Sequence, residues 1–314
     1  MLMKLYKKLI KPCQNFKMER KIRHFLDLNL IDTKSIKELL NLGHRLKSSQ
    51  SNLKFLEKKI LAMIFEKPST RTRISFEIGM KQLGGEVITL DQQDTQLGQG
   101  ESIKDTIKVL SQYSDIIMYR GTAQKRLDDI VSVSNVPIIN GLTDSSHPCQ
   151  IMADIMTLEE KFDSLNDKNI TWIGDGNNVC NSWIHACKHF DFNFRICTPI
   201  DFKPKFHSSK KIKFFEDPKE AVKGTNVVIT DTWLSMGMKD QDQRLTKFKG
   251  FQVNEELMNF AKDDAVFLHC LPAHRGEEVT DDVIDNKNSL VWKEAFNRLH
   301  IQKAILLWSL YMDF

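Results

Sequence analysis

The sequence predicts an α/β protein with two domains, each built on a parallel sheet flanked by helices, and a C-terminal helix that returns to the first domain. Three observations support this prediction. Short apolar runs bounded by turn residues recur along the chain, and most are followed by helical spacing, which is typical of β–α repetition. A long amphipathic stretch at 148–168 interrupts the series and separates two sets of strands. The final stretch, 290–314, is strongly apolar, has helical spacing and can reach back to the first domain.

The predicted elements of the first domain start with the run "ILAMIFE", which is typical of a buried strand, and "EVITL" predicts the next strand. Between them, Phe76, Met80 and Leu83 fall at i, i+4 and i+7. This spacing predicts a helix, which the paired glycines at 84–85 can end with a left-handed cap. Residues 102–113 are predicted to form another helix that begins with a capping box.

Further strands complete the two predicted sheets. The remaining apolar runs with the length and flanking turn residues of short strands are "DIIMYR", "VPIINGL", "ITWIGD", "NFRICTP", "NVVITD" and "AVFLHCLP". We therefore predict a basic N-terminal extension at 1–23, a first domain at 24–156 together with the C-terminal helix 295–314, and a second domain at 157–294.

The composition does not indicate a macromolecular partner. The 45 basic and 41 acidic residues leave a formal net charge of +4, which is too small to indicate binding to nucleic acid or to an anionic membrane. No apolar run approaches the roughly 20 residues that span a bilayer. The 6 cysteines include no CxxC pair, so we expect free thiols in a reducing compartment.

Residues 1–23 are rich in lysine and contain a single acid, Glu19. Lysines interrupt the apolar residues, so the segment lacks the hydrophobic centre of a secretory signal. A mitochondrial transit peptide is an alternative, although such peptides favour Arg and Ser. We interpret the segment as a basic tail or an over-long start, since Met18 can also initiate. We expect a cytoplasmic protein, or one of the mitochondrial matrix if the segment is a transit peptide.

A turn rich in hydroxyls and arginines follows the first strand. In "FEKPSTRTRISFE", Ser69 stands where it can cap a helix, so the backbone N–H groups of 70–72 are among the unpaired donors. The helix dipole and the side chains of Arg71 and Arg73 add positive potential, and three hydroxyls add neutral hydrogen bonds. This combination is typical of a phosphate site at the C-terminal edge of a parallel sheet. A capped helix with a basic surface turn has the same pattern.

Other polar residues follow further predicted strands. Arg120 ends "MYRG", and His147 and Gln150 stand at the start of a helix in "SSHPCQ". An Arg and a neutral His beside a phosphate suit acyl transfer, because both can donate to a developing oxyanion. His269 and Cys270 follow another strand, but strand neighbours point to opposite faces, so this pair cannot form a Cys–His catalytic dyad.

Two patterns that suggest cofactors are incomplete. "GDGNNV" has Val179 where a dinucleotide loop needs its third glycine. His185 and His189 stand at i and i+4, but the Glu of HExxH and a third ligand nearby are missing. We therefore predict no cofactor and no metal site.

Four segments, in this order, resemble the signatures of the aspartate/ornithine carbamoyltransferase family: "FEKPSTRTRISFE", "HPCQIMAD", "DTWLSMGM" and "HCLPAHRGEEV". The similarity covers nearly the whole chain from about Arg23. "DTWLSMGM", at 231–238, marks the ornithine branch, whereas the aspartate branch lacks this loop and has HPLP where this chain has HCLP. The resemblance implies a carbamoyl-phosphate-binding domain at 24–156 and an ornithine-binding domain at 157–294. It implies that the carbamoyl group of carbamoyl phosphate is transferred to the side-chain amine of L-ornithine, without a cofactor.

The resemblance also implies residue roles. Carbamoyl phosphate would be held by Ser69, Thr70, Arg71, Thr72, Gln96, Arg120, His147, Gln150, Cys270, Leu271 and Arg298. Of these, Gln150, Arg298 and the backbone around Cys270 and Leu271 would fix the carbamoyl amide. The implied catalytic residues are Arg71, Arg120, His147, Asp231 and Cys270. The implied ornithine contacts are Asn178, Asp231, Ser235 and Met236. The Leu271–Pro272 bond matches one that is cis in the family.

The same resemblance implies how the subunits assemble and which amine accepts the carbamoyl group. Gln96 in "TQLGQG" matches a loop that the family inserts into the neighbouring subunit's site, which implies a homotrimer or a multiple of trimers with shared sites. The alternative activity is carbamoyl transfer to another amine, such as putrescine or an acylated ornithine, but the loop at 231–238 favours ornithine. A non-catalytic phospho-ligand binder would be expected to have lost at least one of the family's site residues, and a nicotinamide oxidoreductase would need the missing glycine fingerprint.

Overall fold

The computed structural model describes residues 21–49, 54–204, 206, 209–234 and 241–312. Residues 1–20 of the predicted extension lie outside the described residues, as do Ser235 and Met236 of the predicted ornithine contacts. Among the helices in the described ranges, none combines the length and the apolar character needed to cross a membrane.

Two sheets, parallel throughout, form the centre of the molecule, so the predicted fold class is confirmed. The first sheet has the strand order β2-β1-β3-β4, and the second has the order β7-β6-β5-β8-β9. The strands are β1 (Ile60–Phe65), β2 (Glu86–Asp91), β3 (Ile116–Arg120), β4 (Ile138–Leu142), β5 (Asn169–Ile173), β6 (Asn193–Cys197), β7 (Ile212–Phe215), β8 (Val227–Thr230) and β9 (Val266–His269).

Helices connect the strands and cover the sheets. They are α1 (Thr33–Ser48), α2 (Thr70–Gln82), α3 (Ile103–Tyr113), α4 (Gln124–Val133), α5 (Pro148–Phe162), α6 (Asn178–Ala186), α7 (Pro218–Val222), α8 (Gln241–Phe248), α9 (Glu255–Met258), α10 (Asp281–Ile284) and α11 (Val291–Ser309).

Local sequence explains several of these elements. β1 is buried along almost its whole length because neighbouring strands pair with both its edges and helices cover the sheet, which requires a continuous apolar run. α2 buries Phe76 and Met80 against the first core, as the spacing predicts, and Gly84 follows it with φ +85°. One half of the predicted capping box of α3 is confirmed, since Ser102 Oγ accepts a hydrogen bond from the N–H of Asp105 at 3.1 Å, whereas the Asp105 carboxylate accepts from the Ser102 hydroxyl at 2.8 Å.

α5 and α11 differ in length from the stretches predicted for them. The amphipathic stretch predicted at 148–168 is helical only to Phe162, and Asp163 follows with φ +57°. The boundary predicted between 156 and 157 falls inside this helix. α11 begins at Val291, four residues before the predicted 295, and packs against α1, α2 and α5, so it does return to the first domain.

The N-terminal segment connects the two halves of the molecule. Phe25 exchanges backbone hydrogen bonds with β4, through Ile138 O and Asn140 N, each at 2.8 Å. A few residues later, Asp27 lies 2.9 Å from Nδ1 of His185 on α6. The segment therefore joins the first sheet to the first helix of the second.

Candidate active site

A cleft of about 700 Å³ opens at the C-terminal edges of both sheets. The turn after β1, the end of β3 and the segment after β4 line it from the first sheet, and the segments after β5, β8 and β9 line it from the second. Polar residues that follow parallel strands converge at one edge of a sheet. The predicted site residues that line the cleft are Ser69, Thr70, Arg71, Thr72, Arg120, His147, Asn178, Asp231, Cys270, Leu271 and Arg298.

The turn between β1 and α2 keeps its hydrogen-bond donors available for a ligand. Ser69 has the extended backbone of an N-cap residue (φ −158°, ψ 107°), and α2 begins at Thr70. The Ser69 side chain makes no capping hydrogen bond, so the prediction that Ser69 caps the helix holds for the backbone and is wrong for the hydroxyl. The turn presents that hydroxyl, the first N–H groups of α2 and the positive end of the helix dipole.

The two arginines of this turn have different surroundings. Arg71 lines the cleft. Arg73 forms an ion pair with Asp91 at the end of β2 and lies over the ring of Phe65, 5.2 Å from its centroid. The expectation that both arginines add charge to one anion site is therefore wrong for Arg73. Helical geometry explains this, because residues two apart point in directions about 200° apart around the helix axis.

Glu66 fastens the turn to its neighbours. Its carboxylate accepts a hydrogen bond from Tyr119 Oη at 2.7 Å and forms an ion pair with Arg126 of α4. Its N–H donates to the carbonyl oxygen of Arg120 at 2.9 Å. These contacts fix the start of the turn relative to β3, which carries Arg120.

Thr72 joins two arginines inside the cleft. Its Oγ1 accepts from Arg298 Nη2 at 2.8 Å and from Arg120 Nη1 at 3.1 Å, and the residue is fully buried. A hydroxyl has two acceptor lone pairs and one proton. Both lone pairs are used here, so the proton of Thr72 is available to a ligand.

Three arginines meet at this cleft without acids to neutralise them. In the described part of the chain, Arg71, Arg120 and Arg298 form no ion pair with Asp or Glu. Burial, together with the charges of Arg298 and Arg71, lowers the pKa of Arg120 to about 10. Burial also lowers the pKa of Arg298. Burying positive charges close together costs free energy, and a bound anion reduces that cost.

His147 is the N-cap residue of α5 and is 3% exposed. Its N–H donates to Ser182 Oγ at 2.7 Å, which holds the backbone in place. Burial and the charges of Arg298, Arg120 and Arg71 lower the pKa of His147 well below its usual value. The ring is therefore neutral at physiological pH, and Nδ1 has no hydrogen-bond partner among the described residues.

An acid and a thiol face the arginines from the second sheet. Cys270 Sγ donates to Asp231 Oδ1 at 3.0 Å, and Asn177 Nδ2 donates to Asp231 Oδ2 at 2.7 Å. Burial, followed by the charge of Asp231, raises the pKa of Cys270 well above its usual value, so the thiol stays protonated. Asn178 lies beside them, with Nδ2 donating to Thr143 O at 2.7 Å.

The loop after β9 is held by an imidazole. Leu271 N–H donates to His269 Nδ1 at 2.9 Å, so the neutral ring carries its proton on Nε2 and donates it to Glu278 Oε1 at 3.1 Å. Leu271 has φ +56°, and the Leu271–Pro272 bond is cis, as the resemblance implies.

Two family models match this chain. The model described as "Aspartate/ornithine carbamoyltransferase, carbamoyl-P binding domain" matches residues 23–160. The model described as "Aspartate/ornithine carbamoyltransferase, Asp/Orn binding domain" matches residues 166–309. The chain belongs to the aspartate/ornithine carbamoyltransferase family.

Individual members of this family are similar over nearly their whole length. The ornithine carbamoyltransferase of Rhodopseudomonas palustris (strain BisA53) is 50% identical over 301 residues, which cover 91% of this chain and 96% of that protein. That of Nitrobacter winogradskyi is 48% identical over 304 residues, covering 93% of this chain and 99% of that protein. The solved structure of ornithine carbamoyltransferase from Pyrococcus furiosus has a TM-score of 0.86 at 44% identity, covering 91% of this chain and 96% of that one.

Within this carbamoyltransferase fold, Gln150 lies behind the cleft, not on its surface. Its Nε2 donates to Asp154 Oδ1 at 2.8 Å and to Glu294 Oε1 at 2.9 Å, and its Oε1 accepts from Arg298 Nη1 at 3.2 Å. Both amide protons are therefore used inside the protein. The implied contact between Gln150 and the carbamoyl amide stays a prediction.

Gln96 does not line the cleft of its own chain. It is exposed and starts the short 3-10 helix Gln96–Gln99 between β2 and α3. This placement leaves the implied contact with a neighbouring subunit's site as a prediction.

Several cleft residues were not singled out from the sequence. Lys67 lines the mouth, 3.6 Å from Asp144, and Asn177 bonds to Asp231. Lys67 stands inside "FEKPSTRT" beside the residues that were named, so its position in the motif was a usable signal. Asn177 caps α6 through Oδ1, and only the structure reveals that its amide nitrogen reaches Asp231.

The described residues include side chains with metal-ligand chemistry near the cleft. Asp231, His269 and Cys270 each place one ligand atom within 4.8 Å of the others. The His269 ring donates through one nitrogen to Glu278 and accepts through the other from the N–H of Leu271, and the Cys270 thiol donates to Asp231. Both ring nitrogens of His269 therefore already have partners within the protein.

Proposed function

We propose that this chain transfers the carbamoyl group of carbamoyl phosphate to the side-chain amine of L-ornithine, giving L-citrulline and inorganic phosphate. The observation that carries the proposal is the meeting of Arg71, Arg120 and Arg298 at a cleft where no described acid pairs with them. A dianionic acyl phosphate is the kind of ligand that such an array favours. Similar proteins across the family bear the name of this activity.

The turn after β1 would grip the phosphate. The donors to the phosphate would be the N–H groups at the start of α2, the hydroxyls of Ser69 and Thr70, and the guanidinium of Arg71, all of which belong to the turn that lines the cleft. Arg120 would bridge the phosphate and the carbonyl oxygen. Electrostatic complementarity to the departing phosphate lowers the barrier, because negative charge accumulates there as the bond to the carbonyl carbon breaks.

The carbonyl oxygen becomes an oxyanion when the amine attacks. The free proton of Thr72, the guanidinium of Arg120 and the neutral imidazole of His147 would donate to it. Removing one such donor typically costs about 10²–10³ in rate. The low pKa of His147 suits a fixed hydrogen-bond donor that does not change its charge during turnover.

The attacking group must be a neutral amine. An unperturbed side-chain amine has a pKa of about 10.4, so deprotonation at pH 7 costs on the order of 4–5 kcal/mol. The three arginines disfavour the ammonium form and thereby lower that cost. Asp231 would hold the α-ammonium with Asn178 nearby, Cys270 would lie close to the reacting amine, and Ser235 and Met236 would complete the ornithine contacts. No cofactor is needed.

The acceptor is tested by one comparison. Citrulline-type product is measured with ornithine, putrescine, acylated ornithine and aspartate, each with carbamoyl phosphate. We expect turnover with ornithine alone, because a buried acid at 231 and the amides beside it suit an α-amino acid. A higher kcat/KM for putrescine or acylated ornithine would assign the alternative acceptor, and no product with any amine would overturn the proposal.

We further propose a homotrimer, or a multiple of trimers, in which Gln96 enters the neighbouring subunit's site. Ile74 and Ile78 of α2 and Ile88 of the edge strand β2 are exposed apolar residues on the half of the molecule that carries Gln96. Apolar side chains exposed near an unpaired sheet edge favour association.

The reaction is one used in arginine biosynthesis, and we propose that role for this chain. We propose a cytoplasmic setting, with the mitochondrial matrix as the alternative if residues 1–23 are a transit peptide.

A further inference from the structure

A buried row of polar side chains connects the loop that carries Cys270 to the arginines of the cleft. The backbone N–H of His269, which precedes Cys270, donates to Glu294 Oε2 at 3.3 Å. Glu294 Oε1 accepts from Gln150, and Gln150 accepts from Arg298, which bonds to Thr72. These side chains are at most 3% exposed.

The neighbours of Gln150 leave its amide one orientation. Carboxyl oxygens of Asp154 and Glu294 lie on one side at 2.8 and 2.9 Å, and the Arg298 guanidinium, which can only donate, lies on the other at 3.2 Å. The NH₂ group must therefore face the acids, and the oxygen must face Arg298. Gln150 separates Arg298 from both acids, and among the described residues neither acid forms an ion pair with it.

We propose that Glu294 is a positioning residue for carbamoyl transfer: through Gln150 it orients Arg298, and through the N–H of His269 it fixes the loop that carries Cys270. This inference rests on the proposed function. Glu294 is suited to the role because it lies in the first turn of α11, one turn before Arg298 on the same helix face. Glu294 thus links α11 to Gln150, on the helix that follows the first sheet, and to the end of β9 in the second sheet.

The charge state of the acids supports this role. Burial raises the pKa of Asp154 to about 7, and burial together with the charge of Asp154 raises the pKa of Glu294 well above its usual range. A raised pKa favours the uncharged form of the carboxyl, so Glu294 can hold its partners with less neutralisation of Arg298.

The test compares variants that keep the shape of the side chain. Glu294→Gln offers one acceptor oxygen to two N–H donors, because an amide nitrogen cannot accept, so either Gln150 or the His269 N–H loses its partner. Asp154→Asn keeps the single oxygen that Gln150 uses. Glu160→Gln removes an acid on the same helix, α5, that pairs with Lys47 and Lys293 away from the cleft. For each full-length protein we measure kcat, KM for both substrates, the inhibition constant of inorganic phosphate and the unfolding midpoint.

We expect Glu294→Gln to lower kcat by about 10- to 100-fold, the loss typical of a misplaced contact, with the phosphate inhibition constant within about threefold of the parent. Asp154→Asn should lose less than Glu294→Gln, and Glu160→Gln should match the parent. A kcat for Glu294→Gln within about threefold of the parent would overturn the role. So would a loss of phosphate affinity as large as the loss of kcat, or equal losses in Glu294→Gln and Asp154→Asn. An inactive parent would instead overturn the proposed function.

Discussion

Arg71, Arg120 and Arg298 concentrate positive charge in the cleft, where no described acid pairs with them, and this favours an anionic ligand. The same helix, α2, carries a natural comparison in Arg73, which is two residues from Arg71 and pairs with Asp91. Side chains with equal charge thus have different tasks because of their direction around the helix axis.

Replacing Arg71 tests the anion site at a single residue. We expect Arg71→Ala to lower kcat/KM for carbamoyl phosphate by about 10²–10³-fold, because a charged donor to the phosphate is lost. Arg73→Gln is the matched control and should keep turnover while losing at most about 1 kcal/mol of folding stability, as for a surface ion pair. Steady-state citrulline assays and denaturant unfolding measure the two quantities. Near-normal turnover in Arg71→Ala would refute the assignment.

The lowered pKa of His147 leads to a prediction about how folding stability and the charge of its ring depend on pH. Its folded pKa is lowered, whereas in the unfolded chain the ring takes up a proton below about pH 6.5. This residue therefore makes the folded state less stable as pH falls below that value, and the native ring stays neutral between pH 8 and 6. Ring carbon chemical shifts in NMR should show no His147 titration in that interval. A titration midpoint near 6.5 would contradict the buried, neutral donor.

At the scale of single residues, the sequence predicted half of the cleft-lining residues but not their hydrogen-bond partners. The motif around Ser69–Thr72 and the strand ends at Arg120 and Cys270 follow from local pattern. The hydrogen bond from Arg298 to Thr72 joins residues far apart in sequence, and nothing local in the pattern indicates it. The same holds for the acids that surround Gln150.

Glu66 fixes the start of the turn between β1 and α2 through its contacts with Tyr119 and Arg126. We expect Glu66→Gln to raise KM for carbamoyl phosphate by about tenfold, since the ion pair with Arg126 is lost and the turn shifts relative to Arg120. Glu77→Gln, which removes the exposed pair with Lys81 on α2, should change KM less than twofold. Measuring KM in both variants decides the point, and equal values in Glu66→Gln and the parent would show that the turn needs no such anchor.

The ends of the helices were harder to predict from the sequence than the helices themselves. The apolar period of the C-terminal stretch predicts a helix, but its start at Val291 depends on how the segment leaves β9, which periodicity does not report. α5 stops at Phe162 although amphipathic spacing continues, because Asp163 takes a positive φ. Backbone geometry of that kind leaves little trace in residue types other than glycine.

The whole molecule places two sheets so that their C-terminal edges face one cleft. β–α repetition predicts parallel sheets, but the strand orders with β1 and β5 inside their sheets require long-range pairing that a single sequence does not display. The N-terminal segment and α11 join the two halves, and both contacts connect distant parts of the chain.

The proposed sharing of active sites between subunits leads to a prediction for the assembly. Gln96→Ala and Arg71→Ala should each be nearly inactive alone, because one lacks the residue given to a neighbour and the other lacks its own. Mixed trimers contain some sites with both native residues, so dissociating and reassembling the two variants together should restore part of the activity. Citrulline formation after mixing measures this. Activity no higher than the sum of the separate variants would contradict sharing through Gln96.

We propose that the arginine-lined cleft holds carbamoyl phosphate at the turn after β1. A crystal structure with the phosphonate analogue, in which a methylene replaces the bridging oxygen, tests this binding mode. We expect the phosphonate at the N–H groups that begin α2, within hydrogen-bond distance of Ser69, Arg71 and Arg120, and the carbonyl oxygen near Thr72 and His147. An analogue bound elsewhere, with this cleft empty, would rule this binding mode out.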